Sequence, residues 1–187
     1  GLWARSPFEV KKVAEGLAKD RFTKDRDPKT CALLYLLLGK GSTLPAMFRA
    51  VKDDKLAMFF ARDFSQEQHR AAAIKNACAL LSQHRFELAA AFFVLGGVIK
   101  DALDCVLNRK GDPMLAALLI RLIGKGNDAG QDYDTGMDML LAHFRSKAEW
   151  IGAGIVQWRR GRFVEAVRCV ALAVHTEGST MAGDDGG

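Results

Sequence analysis

The chain has 187 residues, 49% of them apolar and 26% charged, with a formal net charge of +5. That balance excludes a disordered polymer and suits about one soluble domain with a core of its own. No stretch approaches about 18 uncharged apolar residues and no basic-then-apolar leader opens the chain, so neither a membrane span nor export is expected. Because the sequence does not begin with methionine, it is expected to be a segment of a longer protein.

In chain order, Ser6, Pro7 and Glu9 form a capping-box pattern that predicts a helix to about Asp20, with Phe8, Val13 and Leu17 at helical spacing. Asp27-Pro28 opens a second helix to Leu38, apolar nearly all round and expected to be central and buried. Short helices follow at about 45–51 and 54–62. Ser65 with Gln68 then predicts the cap of a long helix through Gln83, with Ala73, Ala77, Leu80 and Leu81 as its stripe.

From Arg85 the pattern becomes regular. A helix runs to Leu95 with Gly96-Gly97 as terminator, another runs to about Asn108, and Asp112-Pro113 opens a third to Ile123. All four prolines sit where a helix can begin, because a locked φ and a missing N–H are harmless in a first turn. The segment 124–134 reads as the longest loop, and helices resume near Thr135, Ala148 and Phe163. A flexible tail is expected over 176–187 and a single helical domain over 1–175.

Strand signals are nearly absent, and the links between helices are too short to cross the fold, so neighbours should pair antiparallel. Arg85-Phe86-x-x-Ala89-Ala90 recurs as Arg162-Phe163-x-x-Ala166-Val167, an echo expected of a repeated helix pair. The fold class is therefore all-α, a solenoid-like stack of short antiparallel helix pairs.

The motifs of chemistry fail on position. Gly39-Lys40-Gly41-Ser42-Thr43 lacks the first glycine of a phosphate loop, has Gly41 where a hydroxyl must follow the lysine, and follows no strand; it reads as a helix terminator. Asp132-x-Asp134-x-Gly136 has its glycine one place early for a calcium loop and reads as solvated loop acids. Cys31, Cys78, Cys105 and Cys169 lie far apart within apolar helical stretches, which predicts buried free thiols in a reducing compartment, with no metal or cofactor. The four histidines are too scattered to form a catalytic pair and are expected at the surface or at caps. The paired phenylalanines Phe59-Phe60 and Phe92-Phe93 lack interleaved basic residues, so they read as core, and no nucleic acid is expected as partner. Glu87 suits a helix start simply because the helix dipole favours an anion there.

Specific residues carry more than the helical pattern. Asp27-Pro28-x-x-Cys31-Ala32-Leu33-x-Tyr35-Leu36, Phe59-x-Ala61-x-Asp63-Phe64 and Arg70-x-Ala72-Ala73-x-Lys75-Asn76-Ala77-x-Ala79-Leu80-Leu81 resemble the large-subunit family of the RAVE complex. The likeness continues through His84-Arg85-Phe86-Glu87-x-Ala89-Ala90-Ala91-Phe92-Phe93-x-Leu95-Gly96 and Lys100-Asp101-Ala102. That family includes the DmX-like or rabconnectin alpha proteins. The resemblance is dense over 27–123 and faint from Gly124 onward; Phe48 stands where tryptophan is expected and Phe86 where tyrosine is usual.

The resemblance implies a non-catalytic piece of a large cytoplasmic scaffold, recruited peripherally to vacuolar and endosomal membranes. Its implied partners are peripheral-sector subunits of the vacuolar proton-ATPase and the other RAVE or rabconnectin subunits, and its implied role is to help that sector rejoin the membrane sector. A vesicle-coat or tethering-complex solenoid is the alternative, because fold alone does not give function. Trp150, Gly154 and Trp158 lie broadly on one helical face beside Arg159 and Arg160, which reads first as packing and second as a docking surface. The residues singled out for partner binding are Trp150, Arg159, Arg160 and Arg162, since an aromatic beside arginines is enriched at interfaces.

Overall fold

The structure, a computed structural model, describes residues 6–124 and 130–181, with side chains described up to residue 175. The described residues form eleven α-helices, three short 3₁₀ or π segments and no strand, as the all-α expectation requires. They fall into two compact units, one running to Gly136 and one starting at Met137, where the sequence reading drew a single domain.

The first unit begins with α1 (Pro7–Asp25). Ser6 accepts from the Glu9 N–H at 3.2 Å and Glu9 accepts from the Ser6 N–H at 3.0 Å, so the predicted capping box forms. The second predicted helix is split: Pro28–Thr30 is a 3₁₀ turn capped by Asp27, and α2 is Ala32–Leu37. Pro28 and Cys31–Leu34 are buried, whereas Tyr35–Leu38 are half-buried. A 3₁₀ turn at Gly41–Thr43 leads into α3 (Leu44–Ala50), and α4 (Asp54–Phe60) follows.

The long helix is α5 (Glu67–Ser82), but Ser65 does not cap it: the Ser65 hydroxyl donates to Asp63 instead, and the N-cap residue is Gln66. That bond, with the Ser65 N–H also donating to Asp63, holds the residue on Asp63 rather than over the helix terminus. The central elements are α6 (Phe86–Gly96) and α8 (Pro113–Ile123). Leu88–Phe93 and Leu115–Leu122 are buried without interruption, including the Arg121 side chain. Between them lie α7 (Ile99–Asp104) and π turns at Cys105–Arg109.

α9 (Gln131–Ser146) contains the division between the units. Its first turn carries Asp132 and Asp134, which the sequence reading assigned to a loop; carboxylates near a helix N-terminus are stabilised by the dipole. The predicted loop residues 125–129 lie outside the described residues. The second unit is completed by α10 (Trp150–Arg159) and α11 (Phe163–Met181). α11 continues through Thr176–Met181, past the expected start of the tail, and residues 182–187 lie outside the described ones.

One turn is used repeatedly. At Gly39, Lys52, His84, Gly97, Ala148 and Gly161 a single residue sits at φ between 55° and 77°, and the following N–H bonds the carbonyl five residues back at 2.8 to 3.0 Å. This closure satisfies a carbonyl that the helix end would leave bare. In most cases the next residue is already the N-cap of the following α-helix, so one left-handed residue converts a helix into a hairpin.

The sequence echo is a structural one. His84 N–H to Leu81 O and Arg85 N–H to Leu80 O, both 3.0 Å, are matched by Gly161 N–H to Trp158 O and Arg162 N–H to Gln157 O, both 3.0 Å. In each hairpin small residues let the backbones approach: a Cβ on Gly96 would lie 2.6 Å from Ile74 Cγ1, and one on Gly154 would lie 3.3 Å from Ala166 O. α5–α6 and α10–α11 are two copies of one antiparallel hairpin.

Candidate functional site

In the first unit an open polar groove of about 670 Å³ lies between α1, the turn before α6 and the Lys110 turn. Its floor is ionic. Glu87, in the first turn of α6, is paired with Arg21 of α1 and, at 2.5 Å, with Lys110; Arg21 also donates to Thr30 O at 3.4 Å. Lys110 lies 3.6 Å from Asp112, the residue that caps α8 by accepting from Leu115 N–H at 2.8 Å. Burial and the adjacent Arg21 charge hold the Lys110 ammonium below lysine's ordinary value, against the pull of Asp112.

Glu87 therefore does more than answer its own helix dipole: it ties three segments together. Its partners lie 66 and 23 residues away, so no local pattern announces them. A neighbouring groove of about 600 Å³ shares Asp27 and Lys29 with the first, and Lys29 pairs there with Asp53 at 2.8 Å. That pairing and the Leu56 N–H hold the Asp53 carboxyl below its usual value.

In the second unit the four residues expected to bind a partner separate into different roles. Trp150 opens α10 half-buried, with its indole nitrogen enclosed and facing no acceptor among the described residues. Arg159 is half-buried, and the Arg160 guanidinium is paired with Asp138 of α9 with its side chain only 12% exposed. Arg162 is exposed, at the N-cap of α11. The exposed ring is Trp158 rather than Trp150. It packs edge-on to Phe163, ring centroids 4.8 Å apart, so the α10–α11 turn gathers Trp158, Arg162 and Phe163. Helical periodicity placed Trp150 and Trp158 on one broad face but could not say which of them α11 leaves open.

Two other expectations change. Cys78 is exposed, while Cys31, Cys105 and Cys169 are buried. His143 is buried rather than at the surface, and burial, with Lys147 nearby, lowers its pKa. Among the described residues no group of three or more His, Cys, Asp or Glu is placed to hold a metal ion, and no helix is long and apolar enough to cross a membrane.

The fold and these surfaces define a class of protein: helical hairpins linked by one-residue turns, with polar and aromatic surface gathered where the hairpins turn. The chain belongs to the family described as RAVE protein 1 C terminal, whose model matches residues 1–178. The match thus runs well past Gly124, beyond which the resemblance of individual residues is faint.

DmX-like protein 1 of Mus musculus is 38% identical over 167 residues, covering 89% of this chain and 6% of the relative. The regulator of V-ATPase in vacuolar membrane protein 1 of Saccharomyces cerevisiae is 30% identical over 177 residues, covering 91% of this chain and 13% of the relative. The chain therefore spans only a small fraction of the length of either.

Proposed function

We propose that this chain is a non-catalytic scaffold segment of a V-ATPase regulator, acting at the cytoplasmic face of vacuolar and endosomal membranes to which it is recruited peripherally. It helps bind the detached peripheral sector of the pump and promotes its return to the membrane sector, while ATP hydrolysis and proton transport stay with the pump. The observation that carries this reading is the family match along nearly the whole chain, together with a relative named as a regulator of V-ATPase in the vacuolar membrane. Repeated hairpins suit such a role, because stacked helix pairs offer continuous surface to a large partner without needing a pocket.

Of the four residues expected to contact the partner, Arg162 is the one best placed to do so, beside the exposed Trp158; Arg159 is half-buried, Trp150 is half-buried at the other end of α10, and Arg160 is already paired with Asp138. An acidic patch on a pump subunit is its natural complement. The test is recovery of pump subunits on the tagged full-length protein under conditions that detach the peripheral sector, with and without residues 27–175, read by mass spectrometry. Loss on deletion, and a several-fold reduction for Arg162→Glu in the intact protein, are expected. Undiminished recovery from the deleted protein overturns the reading and moves the docking surface elsewhere in the scaffold.

A further inference from the structure

α11 has two apolar faces, and α10 uses only one of them. Ala166, Cys169 and Ala173 are buried along the hairpin seam, where a Cβ on Gly154 of α10 would lie 3.4 Å from Cys169 Cβ. Beside that seam, Phe163, Val167, Val170 and Val174 follow one another at spacings of four, three and four residues, each between 48% and 66% exposed, with Val170 at the seam's edge, its Cγ2 3.6 Å from where a Cβ on Gly154 would stand. Alternation of fours and threes is the heptad rule that keeps a stripe facing one partner helix along its length.

The α5–α6 hairpin shows what this face does when it is covered. Matched through the shared turn, Val167 and Val170 correspond to Ala90 and Phe93, which are buried beneath the helices packed on α6. Trp158 and Val164 extend the α11 stripe at 61% and 67% exposure. The apolar patch is then roughly 600 Å², at the top of the ~300–600 Å² of the largest patch on a typical monomer and about three quarters of the ~800 Å² each partner contributes to a stable interface.

We infer that this stripe is a self-association surface: two copies of the chain pair through α11, antiparallel, with Phe163 and Val174 of one copy opposite Val174 and Phe163 of the other. The positions flanking the seam decide for a copy over a foreign helix. Val164 and Ala171 on one side and Ala166 and Ala173 on the other carry no charge, so nothing there selects a charged partner and nothing repels a second copy. Orientation follows from electrostatics. Parallel pairing sets the two arginine-bearing turns and the two positive helix ends side by side, whereas antiparallel pairing aligns opposite dipoles. It also leaves Arg162 of each copy at opposite ends of the seam.

This inference is independent of the functional reading, and its test is oligomeric state. Sedimentation of the 187-residue chain across the micromolar range, under reducing conditions and with Cys78→Ser to exclude adventitious disulfides, should show a reversible monomer–dimer equilibrium. Val167→Asp should abolish the dimer with unchanged helical circular dichroism, since Val167 is already 64% exposed in the folded unit. A wild-type chain that sediments as a monomer throughout overturns the pairing and leaves the stripe to a helix supplied from elsewhere. A Val167→Asp chain that still dimerises assigns self-association to another face. A Val174→Cys chain, in the Cys78→Ser background, that readily oxidises to a covalent dimer places like ends together and overturns the antiparallel arrangement.

Discussion

Burial sets the chemistry of the cysteines. It pushes the Cys31 thiol up to about 11, helped by the Asp27 charge, and the Cys105 thiol up to about 11, with Asp104 and Asp101 adding to the effect. Since the thiolate is the nucleophile, both side chains are inert at neutral pH for two reasons, protonation and lack of access. A thiol reagent at pH 8 should therefore modify Cys78 rapidly in the native chain, with Cys31, Cys105 and Cys169 reacting only as denaturant unfolds it. Rapid native labelling of Cys31 or Cys105, located by peptide mapping, would contradict the packing around them. The residues show how unevenly a sequence advertises such differences: all four cysteines sit among alanines and leucines, and only the orientation of α5 leaves Cys78 outside.

At the scale of the element, the repeated turn governs the architecture. Its left-handed position is glycine at Gly39, Gly97 and Gly161 but Lys52, His84 and Ala148 elsewhere, and a side chain there costs roughly 1–2 kcal/mol through its Cβ. Ala148 is exposed and lies outside both α9 and α10, so its replacement removes no packing and no helix propensity. Ala148→Gly is expected to stabilise the chain by about 1 kcal/mol, measured as a higher urea midpoint with an unchanged slope. A destabilised variant would mean that the turn does not need its left-handed residue. Glycine-marked turns were legible in advance; those carrying lysine, histidine or alanine were not, because nothing in those residue types signals a positive φ.

The whole first unit depends on contacts between distant segments. Phe48 and Phe60 stack at 5.1 Å, Phe59 and Phe92 stack at 4.8 Å, and Phe60 meets Phe92 edge-on at 5.4 Å, which locks α3 and α4 against α6. Phe92→Ala removes the ring common to two of these contacts from a buried site, at about 3–5 kcal/mol. Set against a typical total of about 5–15 kcal/mol, that loss should bring a large drop in the denaturation midpoint followed by circular dichroism. A drop below about 1 kcal/mol would show that α4 is not anchored through this cluster. The ionic tie of Arg21, Glu87 and Lys110 works at the same range, binding α1 to the start of α6 and to the chain ahead of α8.

The sequence by itself determined the helical class, the positions of most helices, the hairpin repeat and the family, because periodicity, prolines and caps act over a few residues and the family blocks are ordered along the chain. It did not determine that Cys31 interrupts the second helix, that Ser65 serves Asp63, or that Asp132 and Asp134 lie in α9. Those outcomes depend on local competition between nearly equal hydrogen-bonding and helix-start alternatives. Only the tertiary structure decided which of two tryptophans on one helix faces outward, which cysteine is exposed, and that Glu87 binds two cations far away in sequence. Each of these depends on which face of a helix its neighbours cover, a relation set by packing between segments whose separation along the chain carries no pattern.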